Sequence, residues 1–177
     1  SEIFCSTNVN DVLRRFIDGG VLEPLVTEPS VAPSMDIQIP SSLERLIFDL
    51  STEAKEFYSE LQESTKAHLG KKSVETLKSV FSSVTFSDEM IKTRITSLHD
   101  EFGIIFDPHT VTSVQMALDN DSSLPTVAVA TASPEKFGNV ISPLINGFTE
   151  SKIDQKEQYL TLSTENAAII EAIKAFI

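Results

Sequence analysis

Apolar residues along the chain occur in two patterns: short continuous runs, typical of buried strands, and spacings of three and four, typical of helices. The run at 3–6 predicts a strand. Helical spacing follows at 11–17, where Asn8 or Asn10 can act as the N-cap and Gly19 and Gly20 can end the helix. The chain therefore begins with a strand, a polar turn and a helix.

Two further strands are predicted at 104–106 and 126–131, where apolar and β-branched residues are consecutive. Each is followed by a capping residue and a proline suited to the first helical position, at 107–108 and 133–134. The helix that follows the second proline is expected to end near Ile145. Strand-to-helix junctions of one kind thus recur along the chain.

Two long segments interrupt this alternation. The proline-punctuated segment 24–40 predicts an ordered loop or a linker, and the capping box at 41–44 starts a helix after it. Segment 51–102 is rich in lysine and glutamate and is predicted to be purely helical, with three helices. Ser87 caps the last of these helices, and Gly103 ends it.

Strands that alternate with helices predict an α/β fold with a mostly parallel sheet, flanking helices and an all-helical insert at 51–102. A weaker strand at 159–162 and a terminal helix ending near 176 occupy the C-terminal part, 150–177, and we expect one domain over 1–177. Ligands of open parallel sheets bind beyond the carboxyl ends of the strands. Three polar clusters are expected there: 7–11, 107–110 and 131–134.

The composition limits the possible partners. The 177 residues include 14 Lys and Arg against 26 Asp and Glu, and the net charge of −12 argues against generic binding to nucleic acid or to an anionic membrane surface. Cys5 is the single cysteine, so neither an internal disulfide nor a metal site is predicted, and a reducing cytoplasm fits. Neither a signal peptide nor a membrane-spanning segment is expected from the apolar runs of the chain. Because the chain starts at Ser1 without an initiator Met, we expect a fragment or a processed form.

Five short motifs occur in a fixed order between residues 7 and 137. They are Thr7-Asn8-Val9-Asn10-Asp11, Pro33-Ser34-Met35-Asp36-Ile37, Glu44-Arg45-Leu46-Ile47-Phe48, Asp107-Pro108-His109-Thr110 and Ala130-Thr131-Ala132-Ser133-Pro134-Glu135-Lys136-Phe137. Together they resemble the N-x-N-D, S-x-x-M-D, E-R-L-L-F, D-P-H-T and A-T-A-H-P-A-K-F motifs of the threonine synthases of the bacterial and fungal type, which use pyridoxal phosphate. Ser133 departs from this pattern, because the family usually has His there.

The resemblance implies a pyridoxal phosphate fold type II architecture, similar to the tryptophan synthase β subunit. It also implies the conversion of O-phospho-L-homoserine and water to L-threonine and phosphate. The family's Schiff-base lysine and glycine-rich phosphate loop belong to the N-terminal half, and no lysine of this chain lies in a comparable context. The chain is therefore interpreted as a C-terminal portion that is inactive alone, has the missing N-terminal half as its partner and can self-associate.

The same resemblance implies two groups of site residues. Thr131, at the end of its predicted strand, is the candidate contact to the pyridine nitrogen of the cofactor. Asn8 is the second candidate for cofactor binding. The candidates for substrate binding are Ser34, Asp36, Arg45 and Asn10.

Structural alternatives stand beside these assignments. Thr131 can satisfy a backbone group, and Asn10 is more plausible as a helix cap. Ser34 and Asp36 are equally well explained by side-chain turns. Arg45 can form an ion pair with one of many surface carboxylates. His109, in the motif 107–110, is interpreted as structural.

Two other functions remain open from the sequence. One is a stand-alone acidic α/β binding or regulatory module descended from such an enzyme. The other is a different fold type II enzyme, such as a serine or threonine dehydratase, against which the segments 35–37 and 44–48 argue.

Overall fold

The elements around the candidate site lie between residues 3 and 141 of the computed structural model. The structure describes residues 2–50 and 54–149, together with residues 170, 171 and 174. In chain order the elements are β1 (Ile3–Thr7), α1 (Val12–Gly19), β2 (Val21–Leu22), α2 (Leu43–Leu50), α3 (Ala54–Ser64), β3 (Ala67–His68), α4 (Lys71–Val80), β4 (Phe81–Thr85), α5 (Asp88–Phe102), α6 (Thr110–Leu118) and α7 (Gly138–Ile141). None of the helices in these described ranges combines the length and the apolar character that crossing a membrane requires.

β1 lies between the two hydrophobic clusters of the described chain. It pairs in parallel with β4, and at the carboxyl ends Thr7 lies opposite Thr85 with their hydroxyls 3.0 Å apart. Because successive side chains of a strand point to opposite faces, Cys5 packs against the first cluster and Phe4 against the second. The polar residues that follow β1 are thereby held at the boundary of both clusters.

The helices bury one apolar face each. The first cluster joins α1, α2 and α4 through the fully buried Phe16, Ile47 and Leu77, and the short antiparallel pair of β2 and β3 borders it. The second cluster joins α5 and α6 through residues such as Ile95 and Val111. Burial of these side chains contributes about 2 kcal/mol each, which makes the clusters the main source of stability.

Elements with strong local signals are confirmed. β1 has the predicted position, and α1 ends at Gly20 in the left-handed conformation. The hydroxyl of Ser87 accepts a hydrogen bond from the Met90 backbone N–H at the start of α5, and Gly103 ends that helix, also left-handed. α2 begins at Leu43, within the predicted capping segment 41–44.

The α/β class is confirmed, but the segment 51–102 is not purely helical. It contains the three predicted helices, α3, α4 and α5, and in addition the strands β3 and β4. Phe81 lies four residues after Leu77 and so continues the helical spacing, yet it follows the last residue of α4 and begins β4. Pairing with β1 overrides the local pattern here.

The strand predictions at 104–106 and 126–131 are wrong for the described chain, because neither segment pairs with a described residue. β-Branched side chains favour an extended backbone, but a strand exists only where a neighbouring strand supplies hydrogen-bond partners. Val127 and Val129 are instead 83% and 66% exposed.

The last predicted elements are only partly described. After Ser133 the chain forms a 3-10 turn at Pro134–Phe137, and α7 then ends at Ile141 instead of Ile145. The predicted strand at 159–162 lies outside the described residues. So does the terminal helix, except that residues 170, 171 and 174 are helical.

Candidate functional site

A buried polar cluster connects the carboxyl end of β1 to the loop 24–40. Asn8 is fully buried, and its Nδ2 donates to Asp36 Oδ1 at 2.6 Å, to Ser30 Oγ at 2.7 Å and to the Ala32 carbonyl at 3.2 Å. The Asn8 Oδ1 accepts from the backbone N–H of Asn10 at 2.9 Å. Both polar atoms of the Asn8 amide are therefore engaged with the protein, and they fix the loop against the strand end.

Asn10 belongs to the same cluster and does not cap a helix. Its Nδ2 donates to the Glu28 carbonyl and to Asp36 Oδ1, and its Oδ1 accepts from the Glu28 N–H and from Gln38 Nε2. The N-cap residue of α1 is Asp11, so the predicted capping role of Asn10 and of Asn8 is wrong. The side chain of Asn10 has better partners in the loop, which lies 18 to 28 residues further along the chain.

The turn at 107–110 brings a second loop to this region. Asp107 is fully buried, and its Oδ1 accepts from the His109 N–H at 2.9 Å, from His109 Nδ1 at 2.9 Å and from the Thr110 N–H at 3.4 Å. The helix itself begins at Thr110, two residues later than the predicted first helical position, Pro108. Asp107 thus satisfies the donors of the turn that precedes α6.

The hydrogen bonds of His109 assign its protonation. Its Nε2 accepts from the Ser34 backbone N–H at 3.0 Å, and an imidazole nitrogen that accepts carries no proton. The proton therefore lies on Nδ1, which donates to Asp107, and His109 is neutral. This histidine connects two motifs that are 75 residues apart in sequence.

Burial by itself raises the pKa of Asp107, but hydrogen bonds from His109 and Thr110 outweigh it and hold the pKa below its ordinary value. The charged form is therefore the one that the fold stabilises. Among the described residues, the Oδ2 atom of Asp107 has no hydrogen-bond partner.

We expect acid to remove the contribution of Asp107 to stability. Because its folded-state pKa is lowered, this contribution is complete above the ordinary aspartate pKa of about 4 and is lost as the pH falls through the folded-state value. Urea unfolding of the wild type and of Asp107→Asn from pH 7 to pH 3 measures it, with the exposed Asp49→Asn as control. The difference in the free energy of unfolding between wild type and Asp107→Asn should become smaller as the pH falls. A difference that does not change with pH would contradict the lowered pKa of Asp107.

Thr131 and Arg45 complete the set of predicted residues. The Thr131 N–H donates to Thr110 Oγ1 at 3.2 Å, while its exposed hydroxyl makes no hydrogen bond with a described residue. Arg45 is exposed on α2 and has no hydrogen bond to the polar cluster among the described contacts. The structure therefore joins Asn8, Asn10 and Asp36 directly, links Ser34 and Thr131 through the turn at 107–110, and leaves Arg45 outside this network.

Sequence reasoning missed three members of this network. Ser30 and Gln38 are ordinary loop residues whose contacts with Asn8 and Asn10 span 22 and 28 residues, so no local signal marks those contacts. Thr110 was visible only as part of the motif 107–110. Thr110 accepts a hydrogen bond from Thr131, and its neighbour His109 connects Asp107 to Ser34. Sequence spacing does not encode these contacts.

Comparison with known proteins finds threonine synthases among the relatives of the chain. No protein-family profile matches the chain. It is 32% identical over 183 residues to threonine synthase of Pseudomonas aeruginosa, which covers 96% of this chain and 39% of that protein. Threonine synthase of Saccharomyces cerevisiae is 28% identical over 189 residues, covering 92% of this chain and 37% of the relative.

A solved structure has the same fold. Threonine synthase of Brucella melitensis, determined with bound pyridoxal phosphate, superposes with a TM-score of 0.80 and 26% sequence identity, covering 98% of this chain and 40% of that one. The chain thus spans about two fifths of the length of the relatives that it matches.

Proposed function

Since the chain is a homologue of the threonine synthases along nearly its whole length, we propose that it forms the C-terminal part of such an enzyme. The complete protein would convert O-phospho-L-homoserine and water to L-threonine and phosphate. The observation that carries this proposal is that residues of separate motifs are hydrogen-bonded to one another: Asn8 donates to Asp36, and His109 accepts from the Ser34 N–H. Residues scattered over 100 positions of sequence thereby surround the carboxyl end of β1, where α/β folds bind ligands.

The residues present fit pyridoxal phosphate at one position. The Thr131 hydroxyl is exposed and is not used by the described fold, so it is available to the pyridine nitrogen. The cofactor, when bound, supplies an electron sink, and a neutral hydroxyl tempers that sink because it does not hold the nitrogen protonated as a carboxylate does. We propose Asn8 as a cofactor neighbour whose buried amide keeps the strand end in place.

For the substrate we propose two kinds of contact. The exposed side chain of Ser34 faces no described hydrogen-bond partner, while Asp36 and Asn10 hold the loop that presents it. Arg45 offers an exposed guanidinium that can bind a phosphate through two hydrogen bonds. Proton transfer is left to a lysine of the N-terminal half, the proposed partner, and the chain alone would be inactive.

The proposal extends to the surroundings of the chain. The parallel pair of β1 and β4 would belong to a larger, mostly parallel sheet that the rest of the enzyme completes. The exposed Val127 and Val129 are where an isolated chain would self-associate, since uncovered apolar segments invite pairing. The reaction is expected in the cytoplasm.

The decisive assay uses the complete protein that carries this chain. Incubated with O-phospho-L-homoserine and pyridoxal phosphate, it should release phosphate and form threonine in equal amounts. Release of 2-oxobutanoate from threonine or of pyruvate from serine, without threonine formation, would instead identify a dehydratase.

In the complete protein, Thr131→Ala should slow turnover and shift the absorbance of the bound cofactor. The melting temperature should hardly change, because the hydroxyl is exposed and one such group contributes about 1 kcal/mol at most. Thr131→Ser keeps the hydroxyl and serves as the control. Wild-type turnover together with a wild-type spectrum in Thr131→Ala would show that this hydroxyl does not contact the cofactor.

A further inference from the structure

We infer that His109 is a positioning residue that holds the substrate-binding turn at 33–36 against the turn at 107–110, to which the cofactor contact Thr131 is also bonded. The inference rests on the proposed function, because it assigns a task to a residue beside that site. It concerns a buried side chain to which the proposed function assigns no contact with cofactor or substrate.

The turn at 107–110 contacts both segments at once. His109 Nε2 accepts from the Ser34 N–H at 3.0 Å, and the next residue, Thr110, accepts from the Thr131 N–H at 3.2 Å. The imidazole also packs against the ring of Phe137, with the ring centroids 4.8 Å apart at an angle of 57°. Two segments that are almost 100 residues apart in sequence are therefore fixed to adjacent residues of a single turn.

The turn is itself held rigidly. The buried Asp107 carboxylate accepts from the backbone and from the ring of His109, which sets both the position and the tautomer of the imidazole. On the other side, the Thr112 hydroxyl donates to the His109 carbonyl and lies 2.7 Å from the Ser6 hydroxyl of β1. Motion of the turn relative to the strand end is therefore opposed from two directions.

An imidazole meets a demand that shorter side chains cannot meet. It must donate at the δ position, to Asp107, and accept at the ε position, from Ser34. Asparagine can reproduce the δ donor but does not reach the ε position, whereas the amide oxygen of glutamine can reach it. His109→Asn and His109→Gln therefore separate the bond to Asp107 from the bond to Ser34.

In the complete protein, His109→Asn should raise KM for O-phospho-L-homoserine about fivefold, the effect expected from one lost hydrogen bond, with kcat nearly unchanged. His109→Gln should stay closer to wild type in KM. His68→Asn, an exposed histidine outside this network, is the matched control and should leave both constants unchanged. A KM that is equal in His109→Asn and wild type would overturn the inference.

Hydrogen exchange at the Ser34 amide tests the inference without an activity assay. This amide should be protected in the folded wild type and in His109→Gln, and should exchange about tenfold faster in His109→Asn. Free exchange of Ser34 in the folded wild type overturns the inference even if His109→Asn does not fold. If the complete wild-type protein makes no threonine but its Ser34 amide is protected, the proposed function is refuted, while the hydrogen bond between Ser34 and His109 is still supported.

Discussion

An Asn8→Asp variant should lose about 3–5 kcal/mol of the free energy of unfolding, the loss expected when a buried charge has no compensating partner. The substitution hardly changes volume, but it replaces an NH₂ donor by a carboxylate oxygen. That oxygen would face Asp36 Oδ1 at 2.6 Å and the Ala32 carbonyl at 3.2 Å, both acceptors. Because Asn8 is fully buried, water cannot screen the repulsion between the two carboxylates.

Urea unfolding at pH 7 measures this loss, and Asn139→Asp is the control because Asn139 is exposed on α7. The control should change the stability by no more than about 0.5 kcal/mol. The deficit of Asn8→Asp should shrink as the pH falls, since one shared proton restores a donor between the two carboxyls. Equal stabilities of the two variants at pH 7 would show that the Asn8 amide is not a donor to Asp36.

Gly20→Ala should destabilise the chain by about 3 kcal/mol. Gly20 ends α1 at φ +70°, where a residue with a Cβ is strained by about 1–2 kcal/mol. A Cβ there would also collide with Val74 Cγ2, and a β-branched side chain on a helix has little freedom to rotate away. The backbone cannot shift easily, because the Gly20 N–H and carbonyl are bonded to Phe16 and Leu69.

Two variants separate strain from collision. Gly103 has nearly the same conformation, φ +67°, with nothing within 4 Å of an added Cβ, so Gly103→Ala should show the strain alone, about 1 kcal/mol. In a chain that already carries Val74→Ala, the cost of Gly20→Ala should fall to a similar value. Thermal and urea unfolding provide the numbers. If Gly20→Ala and Gly103→Ala lower the free energy of unfolding equally, Val74 of α4 does not lie close to Gly20.

Local sequence signals predicted several elements correctly, because their causes lie within a few residues. β1 is a short apolar run, α1 ends where a glycine adopts the left-handed conformation, and Ser87 and Gly103 bound α5. The order of the motifs also predicted the relationship to the threonine synthases, which the relatives confirm over 96% of the chain.

Contacts between distant residues decided the rest. Phe81 follows helical spacing but lies in β4 because β1 offers a parallel partner, whereas the β-branched residues at 126–131 find no such partner among the described residues. Asn10 has the chemistry of a helix cap, yet its amide binds Glu28 and Asp36 across a loop. The sequence by itself thus determined which residues are polar, apolar or conformationally permissive. Only the tertiary structure decided which hydrogen-bond partners they meet, because a donor takes the best acceptor in space and not the nearest one in sequence.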